Sequence, residues 1–339
     1  MPVTPVGAVE ALATTVNHFY PDLNSEFIGV FDRREEEPSW INDLFINAAG
    51  DKAFVNFHAW GAAPLPLPVS RGAYIHEGGF GEYTLTVYPY EYATPKISWH
   101  VNDVKDSRAP KSLVDRAHEA AKNLAMLRKF VIPELLGGAA VTFLHEDVSF
   151  TNIFGGTGLY SNSHSYNGQT LDNIATGSGT SAGNIIDDLW TVRQAYRDMV
   201  NDVGRTYWEQ EGEKKTKWTI LVPPELEKVF NTVLRSELIV PAGATAPASN
   251  YTRDVFGDLV EIHVLETLSD TNDWHVIRSP QDSANMRPFL WAERAGIETI
   301  QWLISNSDES RESRHEAIMW LRRGFIGIGM PHTAVQVSN

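Results

Sequence analysis

The stretch from Pro110 to Leu136 constrains this chain more than any other. Leu113, Ala117, Ala120, Leu124, Leu127 and Val131 recur at steps of three and four, which puts one apolar stripe along a helix. Pro110 suits a first helical turn and Gly137-Gly138 suits its end. At the helical rise per residue such an element would be roughly 40 Å long. Pro133 is expected to kink its last turn. The opposite face carries Arg116, Lys122, Arg128 and Lys129, either as an ordinary solvated face or as a basic face turned toward nucleic acid. The most apolar run, Leu124 to Leu144, is broken by Arg128, Lys129, Pro133 and Glu134, so it cannot span a bilayer.

On either side of this helix the pattern changes. Residues 1–45 read as an arm: Val9, Leu12, Val16 and Phe19 form a short helical pattern that stops at Pro21, and Glu35, Glu36 and Glu37 precede Pro38. Such an arm is either a loosely held terminus or a segment that docks on a neighbour. Phe54, Phe57 and Trp60 lead into Ala63-Pro64-Leu65-Pro66-Leu67-Pro68 and a turn with Gly78, Gly79 and Gly81. Tyr83 to Tyr88 then alternates with period two, and Ile97, Trp99 and Val101 repeat the alternation. Two strands joined by so long a connection predict a hairpin that projects from the body.

Beyond the helix, residues 155–183 are rich in Gly, Ser, Asn and Thr and read as loop. A second amphipathic helix carries Ile186, Leu189, Ala195, Tyr196 and Met199. Lys217 to Val222 reads as a buried strand stopped by Pro223-Pro224, which opens a third helix with Leu226, Val229, Phe230 and Leu234. After a small-residue loop from Ala242 to Asn250, strands are expected near Leu259–Leu265 and Trp274–Ile277. Two more are expected near Ile297–Ile304 and Ala317–Ile328, separated by a charged turn from Asn306 to Arg314. The mixture is α+β, and with 10 Trp and 15 Phe in 339 residues more than one core is expected.

Charge and chemistry exclude several function classes. The 28 basic residues are outnumbered by 43 acidic ones, and a net charge of -15 does not suit a uniformly basic nucleic-acid binder. Without cysteine there are no disulfides, thiolate metal sites or cysteine nucleophiles. Met1-Pro2-Val3-Thr4-Pro5 lacks the order of a signal peptide, so a soluble cytoplasmic product is expected. Gly179-Thr180-Ser181-Ala182-Gly183 matches the G-x-S-x-G turn of serine hydrolases, with His263 as a partner to consider. The residues before it, Asn173 to Ser178, make a poor strand, and a loop entering a helix accounts for the match. The pairs His76-Glu77, His118-Glu119, His145-Glu146 and His315-Glu316 all lack the second histidine of H-E-x-x-H, since Phe80, Lys122, Ser149 and Met319 stand there. Asp270, Asn272 and Asp273 lack the glycine and distal glutamate of an EF-hand. Neither a catalytic site nor a cofactor or metal site is expected.

The order of parts resembles the Hong Kong 97 fold of tailed-bacteriophage major capsid proteins: arm, extended loop, spine helix, central α/β domain and returning strands. Within that group the chain is similar to the Mu-type major head proteins. The segments that carry the likeness are Trp218-Thr219-Ile220-Leu221-Val222-Pro223-Pro224-Glu225-Leu226-Glu227, Leu159-Tyr160-Ser161-Asn162-Ser163-His164 and Val101-Asn102-Asp103-Val104-Lys105-Asp106. The resemblance implies an N-terminal arm (1–45), an extended β-hairpin loop (46–95) and a peripheral domain with the spine helix (96–155). An axial domain (156–284) and a return to the peripheral domain with a C-terminal tail (285–339) would complete it. It further implies self-association into pentamers and hexamers of an icosahedral shell, in the virion and assembled in the bacterial cytoplasm. A portal, possible scaffolding or decoration proteins and packaged double-stranded DNA would be its partners, with no membrane. Phe54, Phe57, Trp60, Leu65, Leu67, Arg71 and Tyr74 would then contact neighbours, and Arg116, Lys122, Arg128 and Lys129 would face the DNA. Some shells of this fold are locked by lysine–asparagine bonds; Lys52 and Asn339 exist, but their surroundings in sequence do not support that chemistry.

Overall fold

The computed structural model describes residues 23–33, 38–49, 54–60, 82–105, 110–137, 140–143, 146–149, 153, 158–166, 169–200, 216–241, 243, 245–280, 286–303 and 307–339. Helix α1 covers residues 23–33, and its Leu23, Phe27 and Phe31, four apart, are all buried. Phe27 stacks on Trp320 with ring centroids 4.0 Å apart, and the Asn24 side-chain carbonyl accepts from Trp320 Nε1 at 2.9 Å. Over this span the expected arm is therefore part of its own chain's core. Its aromatic face needed a partner, and the sheet supplied one. Residues 1–22 and 34–37 lie outside the described residues.

Helix α2 (Ser39–Leu44) runs straight into β1 (Phe45–Ala49), and β2 (Val55–Trp60) pairs antiparallel with β3 (Glu82–Val87) as a ribbon. Then come β4 (Tyr90–Ala93), β5 (Ile97–His100), α3 (Val101–Lys105), α4 (Pro110–Ala125) and α5 (Leu127–Gly137). The expected long helix is thus interrupted at Met126, while Pro133 sits inside α5. The stripe passes through the interruption: Leu113, Ala117, Leu124, Leu127, Val131 and Leu135 are all buried. Two bonds of helical type, Met126 N to Lys122 O and Phe130 N to Met126 O, bridge it.

Two small hairpins follow, β6 (Ala140–Phe143) with β7 (Glu146–Ser149) and β8 (His164–Tyr166) with β9 (Gln169–Leu171), then β10 (Ile174–Thr176). Residues 155–183 are accordingly not all loop. Three-residue strands of Ser, Thr and Gln are too short to show an alternation in sequence. The second half contains α6 (Ala182–Asp198), β11 (Thr216–Val222), α7 (Pro224–Arg235), β12 (Leu238–Ile239), β13 (Ala248–Ser249) and α8 (Tyr251–Phe256). It continues with β14 (Val260–Val264), β15 (Trp274–Pro280), β16 (Phe289–Trp302), α9 (Asp308–Ser313), β17 (His315–Ile328) and β18 (Ala334–Ser338).

Two five-stranded sheets organise these elements. In the first the order is β1-β16-β17-β4, with β5 also on β17. The β16–β17 hairpin pairs Phe289 with Ile328 at one end and Trp302 with Ala317 at the other. Helices α1, α2, α4 and α5 cover one face, while the base of the β2–β3 ribbon covers the other through Val55, Phe57 and Val87 against Leu290 and Phe325. The sheet is buried on both faces, and β17 is correspondingly buried along nearly its whole length, Arg322 included. The second sheet has the order β10-β18-β15-β11-β14 and packs against α6, α7 and α8 through Trp218, Phe230, Phe256 and Trp274.

The chain passes from the first sheet to the second through a 3-10 turn at Pro331–Thr333. Buried polar groups fasten this joint. Asn173 Nδ2 donates to the carbonyls of Leu159 at 2.8 Å and Pro331 at 3.1 Å, and its Oδ1 accepts from Ser161 N. The Tyr196 hydroxyl is shared between the carbonyls of Val276 and Thr333. Among the described residues no helix is long and apolar enough to cross a membrane.

Candidate assembly surfaces and the Ser181 turn

The ribbon separates its side chains by strict alternation. Val55, Phe57 and Val87 point to the first sheet, and Phe57 lies 6.0 Å from Phe325. Phe57 was expected to be an exposed anchor; it is instead core, because it shares the face of Val55. The other face is polar, with Thr86 Oγ1 donating to Asn56 at 2.8 Å and His58 Nδ1 3.2 Å from Thr84 Oγ1. Phe54 is exposed as expected and meets Tyr88 edge-on at 6.3 Å. Tyr88 is 68% exposed and Tyr90 is 52% exposed, so an aromatic patch forms at the ribbon's base. Sequence reasoning passed over these two, although Tyr88-Pro89-Tyr90 marks where the alternation ends. The Trp60 backbone closes β2 opposite Glu82. Leu65, Leu67, Arg71 and Tyr74 lie outside the described residues.

Of the four basic residues expected on one helix face, Arg116 and Lys129 are exposed. Lys122 is half-buried and pairs with Glu119 one turn earlier at 2.6 Å. Arg128 is a correction: it is buried, donates to Asn47 Oδ1 at 3.0 Å, and lies 5.8 and 5.7 Å from the rings of Phe45 and Trp291. Its position four residues after Leu124 puts it on the apolar stripe, where its stem packs and its head reaches a polar partner in Asn47.

The short β12–β13 ribbon after α7 carries an exposed apolar group of its own. Leu238 is 63% exposed and Val240 45% exposed, beside a groove of about 630 Å³ lined also by Ala182, Pro241 and Pro247 at the start of α6. The run Leu238-Ile239-Val240-Pro241 was the available sequence signal for it.

Ser181 borders the same groove. Its backbone is extended at φ -73°, ψ 155°, and its hydroxyl accepts from Asn184 N at 3.3 Å: it is the N-cap of α6. The glycines serve the turn. Gly179 has φ +121°, where an added Cβ would meet the Asn184 amide. Ser178 N donates to both oxygens of Asp188, whose carboxyl burial pushes above its ordinary pKa while these bonds pull it back. The short strand β10 does precede the turn, but it stands at the edge of its sheet. His263 belongs to β14 at the opposite edge, four strand spacings or roughly 19 Å away. There its ring stacks on Trp40 at 4.1 Å, and burial holds its pKa below the usual value. Ser181 and His263 are not brought together.

No protein-family model matches the chain, and no curated protein matches it in sequence. Solved structures match it in fold. The bacteriophage PhiM1 mature capsid does so with a TM-score of 0.50 and 11% identity, over 87% of this chain and 86% of that one. The capsid of a native GTA particle gives 0.50 and 12%, over 88% of each chain. At such low identity the likeness is one of fold, and that fold is the Hong Kong 97 type of phage capsid proteins.

Proposed function

We propose that this chain is a major capsid protein, whose copies associate into the icosahedral shell that encloses the double-stranded DNA of a tailed phage. The observation that carries this reading is the match of fold over 87% of the chain to the subunit of a phage capsid. Exposed apolar groups on both sheet units support it: Phe54, Tyr88 and Tyr90 on the first, Leu238 and Val240 on the second. Two separate contact surfaces per copy are what ring and shell closure require, and each contact can be weak because many engage together.

In this reading the first sheet unit is peripheral, and the second surrounds the five-fold and six-fold positions. By its motifs the chain resembles the Mu-type head proteins. Of the four basic helix residues, Arg116 and Lys129 are exposed and would meet packaged DNA through phosphates and without regard to sequence. Assembly would take place in the bacterial cytoplasm, with a portal at one vertex and scaffolding or decoration proteins as further partners. The role is structural and not enzymatic, with Ser181 serving as a helix cap.

The test is negative-stain electron microscopy, together with sedimentation, of the purified full chain. Closed shells, or pentamers and hexamers that convert to shells, are expected. Monomers or dimers that persist at high concentration and with co-expressed head proteins would overturn the reading.

A further inference from the structure

Where the C-terminal end of α5 meets the loop between β14 and β15, the chain surrounds a cavity of about 200 Å³. Glu134, Asp270 and Asp273 line it, and among the described residues no lysine or arginine does. The end of α5 adds its own partial negative charge. Acidic side chains at a surface are ordinary; the floor of this cavity is not. There His275 is 6% exposed, and among the described residues its Nδ1 has no hydrogen-bond partner. The ring is fixed by stacking on Tyr160 at 5.2 Å, and burial lowers its pKa to about 4, so at neutral pH it offers a lone pair and no charge.

The carboxylates are unequally occupied. Both oxygens of Asp273 are taken, by Asn339 N and Gln336 Nε2, each at 2.9 Å. Asp270 Oδ1 accepts from Asn272 N and Asp273 N, which leaves Oδ2 open. Among the described residues no three His, Asp or Glu side chains converge closely enough to ligate one bare ion. A cation here must keep most of its water.

We propose that this cavity takes a hydrated divalent cation of the Mg²⁺ type, held at Asp270 Oδ2 and, through its own waters, by His275 Nδ1 and Glu134. Mg²⁺ gives up water reluctantly and is commonly held by one or two carboxylates. At about 30 Å³ per water the cavity has room for roughly six, the size of that hydration shell. The ion would join the end of α5, which belongs to the first core, to β15 and β18 of the second sheet. The argument stands on the cavity alone and does not rest on the capsid reading.

The experiment uses the full-length chain, with Mn²⁺ as the paramagnetic probe and Mg²⁺ as competitor. Asp270→Asn keeps the Oδ1 acceptor of the turn and removes the charge; His275→Phe keeps the stack on Tyr160 and removes the ring nitrogens. The wild type should bind one Mn²⁺ per chain that Mg²⁺ displaces and that both variants hold at least tenfold more weakly, with circular dichroism unchanged. A wild type without such a site, or variants that bind as it does, would overturn the proposal. Should one variant fail to fold, the other decides. Absence of shells would count against the assembly reading and leave this result standing.

Discussion

The first sheet is centred on β16 and β17, neighbours in sequence that pair along most of their length. The second takes its strands from residues 174 to 338, and its order β10-β18-β15-β11-β14 puts the last strand of the chain between two earlier ones. Both sheets end with aromatic cores, but the cores are secured differently. In the first, charged groups go inside with partners: Arg322 donates to Glu293 at 3.0 Å and lies over the Trp291 ring, and Arg128 reaches Asn47. In the second, charged groups are buried too, Asp188 under Ser178 N and Arg278 beside the Tyr196 ring, while the joint is fastened by neutral ones, the Tyr196 hydroxyl and the Asn173 amide bonded to backbone carbonyls. A sheet assembled from distant segments relies on closure.

The sharpest way to break this contrast is to remove one core aromatic from each side. Trp320→Ala and Trp274→Ala, both fully buried, should each cost about 3–5 kcal/mol. Denaturant unfolding followed by hydrogen exchange should show the loss first in β16–β17 for one variant and in β11, β15 and β18 for the other. If both variants lose protection everywhere equally, the two regions are one cooperative unit.

Acid tests the joint. Burial lowers the His332 pKa to about 3, and nearby His164, itself lowered by burial, opposes a second positive charge. Because the folded pKa lies below the unfolded value, the unfolded chain binds more protons as pH falls below the ordinary histidine range. Stability is therefore highest above pH 6.5 and declines on the way down toward pH 3. About 3 kcal/mol from His332 alone should be gone by pH 4 relative to pH 7. His332→Gln should flatten the urea midpoint between pH 6.5 and pH 4; an unchanged slope would show that His332 is not the group responsible.

A smaller effect belongs to Gly324. A Cβ there would stand 2.7 Å from the Trp291 ring, so Gly324→Ala should cost about 1–3 kcal/mol through a forced shift of β16 against β17. An unaltered melting temperature would mean that the indole yields freely. The smallest belongs to Ser181. Ser181→Ala should lose about 1 kcal/mol as a missing cap, and Ser181→Asn should restore most of it. Labelling of Ser181 by a serine-reactive probe would instead revive a nucleophilic role.

The same contrast governs what the sequence disclosed. The apolar stripe of α4 and α5, the β11 strand stopped by Pro223-Pro224, β17 and the second half of β16 were legible because each is a local pattern. The partners were not. Nothing in Leu23, Phe27 and Phe31 tells that they meet Trp320 almost 300 residues later. Arg128 and Phe57 were misplaced for a related reason: a charge suggests solvent and an aromatic in a ribbon suggests exposure, whereas helical phase and strand alternation put both inside. The exposed group around Leu238 and Val240 was missed because a short apolar run reads the same whether it is core or surface.

The place of β18 has a consequence for synthesis. The hairpin at the centre of the first sheet can pair as soon as residue 328 is available, but the second sheet has a gap between β10 and β15 until residues 334–338 arrive. Removing residues 334–338 would accordingly leave the first sheet its strands and the second sheet open between β10 and β15.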